Sequence, residues 1–186
     1  MNEEETTYTR LFRDFLKFQD MIHPGVVISD MSVSIKNAVD KVFSKSKWLR
    51  CTWHLSQNLK LRFGTHQPEV YQTLKGMIQT RNPIKFESKL RSIDMATLSE
   101  RNANYLKNML ANKLDWARSY NRDYFTANTH TTSRCESLHA SINRRFSRFN
   151  GIRDIVNIMI DLDTKSITPE KDISVSLLCV LIGSNH

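Results

Sequence analysis

Val26-Val27-Ile28-Ser29-Asp30 is the stretch on which the reading of this chain turns. Three consecutive β-branched apolar residues, with no polar alternation, form the pattern of a strand covered on both faces in a parallel sheet. The run ends in a carboxylate. In open α/β sheets ligands bind outside the carboxyl ends of the strands, so Asp30 has two readings. It is either an oxygen ligand placed to hold a divalent metal, or a side chain that caps the turn into the next element.

On the amino-terminal side, Tyr8, Leu11, Phe12, Phe15, Leu16 and Ile22 follow the three-and-four spacing of one helical stripe, which His23-Pro24-Gly25 stops. On the other side Ile35, Ala38, Val39, Val42 and Phe43 form the apolar face of a second helix, with Ser32 or Ser34 as its cap. Trp48 to Thr52 reads as a second strand. The order helix, strand, helix, strand predicts an α/β sheet with parallel neighbours. From Trp53 to Tyr120 the pattern is helical throughout, and Pro68 and Pro83 stand at first helical positions. A polar stretch, Thr126 to Ser133, precedes a long helix over Thr132 to Phe149; Ile152, Ile155, Val156, Met159 and Ile160 mark one more.

The 186 residues suffice for a domain with a real core. Lysine and arginine number 27 against 19 acids, a net charge of +8, which favours a polyanionic partner, nucleic acid before an acidic membrane surface. The acidic opening MNEEETTYTR is wrong for a signal or transit peptide. The longest apolar run, Val175 to Ile182, is far below the roughly 20 residues of a membrane span. Three cysteines, an odd number, suggest free thiols in an intracellular, reducing compartment. A soluble chain away from the membrane is expected.

Two further clusters carry chemistry. Ser133-Arg134-Cys135-Glu136 matches a capping box, in which Glu136 reaches back to the amide of the cap residue. Around it lie Thr131, Thr132 and His139, and Arg134, Arg144, Arg145 and Arg148, arginines that Leu138, Ile142, Phe146 and Phe149 leave free to meet phosphate. Cys51-Thr52-Trp53-His54, joined by Cys135 and His139, could supply a Cys2His2 zinc set. A structural pairing without metal, or a redox or nucleophilic thiol, is the alternative.

Together these residues resemble the Mutator-like (MULE) transposase domain. The resemblance rests on Val26 to Asp30, Ala38 to Phe43, Cys51-Thr52-Trp53-His54-Leu55 with Asn58-Leu59, and Trp116 to Tyr120 with Phe125 and Thr131 to His139. It runs from Glu3 to Arg148. It implies a partial RNase H-like α/β fold, short parallel strands between helices, with a large all-helical insertion. The divisions would be 1–64 for the partial core, 65–125 for the insertion, 126–167 for the glutamate helix and the helix after it, and 168–186 for a tail of undefined role. Asp30 would be the second catalytic acid and Glu136 the third, holding Mg²⁺ or Mn²⁺ for cleavage and strand transfer on DNA. Cys51 and His54 would be the family's C-x-x-H pair.

The family's first catalytic aspartate sits on a strand that precedes the first helix, and this sequence opens at that helix. Asp14 and Asp20 fall in a helical pattern and do not replace it. The expectation is a truncated transposase with impaired DNA transposition, acting in the nucleus. The Val26–Ile28 strand would be left as a bare edge, which a second copy or a partner chain would cover. The alternatives are a non-catalytic DNA- or protein-binding remnant and a small zinc-binding module.

Overall fold

A computed structural model describes residues 3–126, 129–132, 137 and 177–178. Its elements run α1 (Glu3–Phe18), β1 (Val26–Ser29), α2 (Val33–Val42), β2 (Lys47–Arg50), α3 (Thr52–Phe63), α4 (Pro68–Gln79), α5 (Pro83–Arg91), α6 (Glu100–Ala111) and β3 (Leu177–Leu178). Short 3-10 turns occupy Met95–Thr97 and Lys113–Asp115.

The expected strand is present and buried along its whole length: Val26, Val27 and Ile28 are at most 3% exposed. It pairs in parallel with β2, Val26 opposite Lys47 and Ser29 opposite Arg50. Its side chains divide between two faces, as the pleat requires. Val27 packs with Phe12 and Leu16 of α1 and Ile35, Ala38 and Val39 of α2, whereas Val26 and Ile28 meet Leu49 and Cys51. Burying each such side chain stabilises by about 1.5–3 kcal/mol. Ser32 caps α2, its Oγ accepting from the Ile35 amide. Pro68 and Pro83 each open a helix, where a missing N–H removes nothing.

The helical part carries a core of its own. Leu55, Leu59 and Phe63 of α3 pack with Leu74, Met77, Phe86, Leu106 and Trp116. This core therefore begins at α3, within the segment assigned by sequence to the α/β part.

Three expectations are corrected. The first helix ends at Phe18, before the Pro24 stop, because Asp20 and Met21 turn the chain with φ of 48° and 62°. Ile22 is consequently exposed, at 64%, and Leu11, within the helix, stands 51% exposed outside the buried stripe. The second strand stops at Arg50, since Cys51 is the residue from which α3 starts. The bare edge on β1 is absent over Val26 and Val27, where Leu177 and Leu178 pair in parallel to make the order β2-β1-β3. The Glu136 helix and the helix expected after it lie outside the described residues.

Candidate functional site at the carboxyl ends of the strands

Asp30 follows the last residue of β1 and is half-buried. Its Oδ1 accepts from the Ser32 amide at 3.0 Å, a local turn that holds the carboxylate at the strand end. The other oxygen has no hydrogen bond among the described residues. Ser29, beside it, is buried, and its hydroxyl accepts from the Trp48 indole N–H at 2.8 Å. Tyr8 of α1 lies within electrostatic reach, because burial, Glu4 and Asp30 together push its phenol upward.

Cys51 is fully buried and joins three parts of the chain. Its amide donates to the Ser29 carbonyl at 2.7 Å, continuing the β1–β2 ladder by one residue. Its Sγ accepts from both the amide and the hydroxyl of Thr132, each at 3.3 Å. Next to it, the Thr52 amide and hydroxyl both donate to the His130 carbonyl at 2.9 Å. The segment 130–132, which leads into Glu136, is thus fastened to the turn between β2 and α3. His54 lies edge-on to Trp53, with ring centroids 4.8 Å apart.

Of the residues singled out from sequence, Asp30, Cys51 and His54 are described and sit at or just past the strand ends. Glu136, Cys135, His139, Arg134, Arg144, Arg145 and Arg148 lie outside the described residues. Among the described residues no cluster of three His, Cys, Asp or Glu side chains could hold a metal ion. Asp14 is exposed and paired with Lys17 at 3.3 Å. Among the described residues no helix is long and apolar enough to cross a membrane.

Sequence reasoning missed Thr132, Arg118 and His130. Thr132 was read only as part of the approach to Glu136; nothing in a lone threonine signals a bond to a cysteine 81 positions earlier. Arg118 and His130 come together with Arg81, Asn121, Arg122, Asp123, Tyr124, Phe125 and Thr126 around a cleft of about 450 Å³. Burial, then Arg118 and Arg81, holds the His130 imidazole down to about 4. Burial first, then Arg81, also lowers the Arg118 guanidinium. Most of this grouping lies within residues 118–130, and the fold adds Arg81 to it.

Residues 1–58 match the family model of the MULE transposase domain. The matched span contains Asp30, Cys51 and His54, so this part of the chain is transposase-related. No curated protein matches the chain.

Proposed function

We propose that this chain, transposase-related over residues 1–58, is a MULE-type nuclease and strand-transfer domain of RNase H-like ancestry, with Asp30 and Glu136 as its acidic pair. The observation that carries the reading is the fastening at Cys51. Its amide holds Ser29, the neighbour of Asp30, and its sulfur holds Thr132, four residues before Glu136. A tether of four residues reaches about 14 Å at full extension. In this reading the two carboxylates, 106 residues apart in sequence, would act together at one edge of the sheet.

Asp30 suits a hard divalent ion in its donor chemistry: it is a half-buried oxygen ligand at a strand end, oriented by the Ser32 amide, with its second oxygen not hydrogen-bonded among the described residues. Asp30 and Glu136 would hold Mg²⁺ or Mn²⁺, which in such sites supplies Lewis-acid activation of the attacking oxygen and neutralises the leaving one. The protein's own part is positional. Ser32 fixes the Asp30 carboxylate, and Cys51, through Thr132, fixes the start of the segment that carries Glu136. In this reading Cys51 has a structural task, its lone pairs occupied by Thr132, which leaves a zinc set with Cys135 and His139 the weaker assignment.

The test is nicking of supercoiled DNA by the purified chain in Mg²⁺ or Mn²⁺. Nicking that disappears in both Asp30→Ala and Glu136→Ala supports the assignment. An unmodified protein that binds DNA in a salt-sensitive way without nicking it overturns the catalytic reading and leaves a DNA-binding remnant.

A further inference from the structure

We propose that the cleft walled by Arg81, Arg118, Arg122, Tyr124, Phe125 and His130 is a binding site for single-stranded DNA, its arginines meeting phosphates and its exposed rings meeting unpaired bases.

Charge is the first support. Among the described residues three arginines line the cleft with one acid, Asp123. Elsewhere several cations are matched with carboxylates: Lys41 with Glu5, Lys47 and Arg50 with Asp115, Lys113 with Glu87. Arg118 has no ion pair among the described residues, and its Nε is buried without a hydrogen-bond partner. A desolvated guanidinium is costly unless an anion meets it. Its planar fork matches the paired oxygens of a phosphate. Burial first, and then Arg118 and Arg81, depress the His130 imidazole, so this wall of the cleft disfavours a further proton.

The rings decide the kind of nucleic acid. Tyr124 and Phe125 stand side by side at the cleft, 43% and 72% exposed, among the most exposed aromatic residues described. A solvated phenylalanine next to arginines is the combination that stacks unpaired bases while cations follow the backbone. A duplex keeps its base faces inside. Arg118 and His130 also wall a narrow gap shared with Ile28, Leu49 and Thr52, so the cleft adjoins the carboxyl ends of β1 and β2. The choice of DNA over other polyanions rests on the transposase reading; the site itself rests on the cleft.

The experiment is fluorescence anisotropy of the full chain with labelled oligothymidylate and with a duplex, over a range of salt. Tighter binding of the single strand is expected. Phe125→Ala should weaken it about tenfold, the loss of one stacked base, with duplex affinity unchanged. Arg122→Ala and Arg118→Gln should each lower the slope of log affinity against log salt by about 0.7. Arg122 and Phe125 are exposed, so their variants keep the fold even if Arg118→Gln does not. Single-strand affinity unaltered by both Phe125→Ala and Arg122→Ala overturns the site, as does preference for the duplex. Asp30→Ala separates the two proposals, since it should abolish nicking and leave oligothymidylate binding intact. A chain that never nicks but loses single-strand binding in Phe125→Ala refutes the nuclease and keeps the site. Nicking that survives with affinities unchanged in the cleft variants refutes the site alone.

Discussion

Removing the Cys51 sulfur should release the segment that carries Glu136, and the size of the effect follows from its surroundings. Cys51→Ala deletes one fully buried heavy atom, comparable with a methylene at about 0.8 kcal/mol, and leaves a small cavity. It also removes the acceptor of two Thr132 bonds at 3.3 Å, each worth about 0.5 kcal/mol for a soft sulfur. The total is about 2 kcal/mol, a fall in Tm of about 4–8 °C for a chain of this length. Thr132→Val removes the hydroxyl's bond to the sulfur and should cost about 0.5 kcal/mol through that bond. Because the two variants share that bond, the double variant should cost less than their sum by about 0.5 kcal/mol or more. Urea unfolding of the four proteins gives the cycle, and amide exchange at residues 130–132 gives the local release. Strict additivity, with exchange at 130–132 unchanged in Cys51→Ala, would refute the view that this sulfur ties the two segments together.

Three further outcomes are expected. His130 is held down to about 4 from 6.5 by burial and the neighbouring arginines. The unfolded chain therefore binds the extra proton between those values, so stability is full above pH 6.5 and falls as pH drops towards 4; His130→Gln should flatten that part of the profile in pH-dependent thermal melts. Glu87 is lowered by hydrogen bonds from Tyr120 and Lys113, so its contribution is present above pH 4.5 and lost as pH falls through its folded value. Glu87→Gln should remove that acid-side loss, and an unchanged acid limb in chemical denaturation would contradict the pairing. Phe86 is fully buried, its ring 5.7 Å from Trp116 and 5.3 Å from Tyr120; Phe86→Ala should cost about 3–5 kcal/mol in urea unfolding.

The parts of the fold that were legible in sequence are those with local causes. Val26-Val27-Ile28 carries its own strand signal, Ser32 its own cap, and Pro68 and Pro83 their own helix starts. The end of α1 was misread because Pro24 is a visible stop, whereas the left-handed turn at Asp20 and Met21 has no glycine to announce it. β3 was not foreseen, because a two-residue pairing leaves no periodicity and its partner lies some 150 positions away. At the site, Asp30 and Cys51-x-x-His54 were legible as types at a spacing. The sulfur's bond to Thr132 was not, and neither was the cleft, in which Arg81 meets Arg118 and Arg122 from a distant part of the chain.

The bonds from Thr52 to the His130 carbonyl span 78 positions, and every buried side chain of the helical core, Leu55 to Ala117, falls between them. The helical body is thus a long excursion whose two ends meet at one point and whose interior is self-sufficient. Closing a loop of that length costs about 4 kcal/mol in chain entropy beyond a constant, and one of about eight residues costs about 2 kcal/mol less. A body with its own core can condense first and bring Thr52 and His130 together, so most of that entropy is lost before the sheet is completed. The same geometry makes the body a cassette: a lineage could lengthen, replace or delete it between residues 52 and 130 while the strands on either side kept their register.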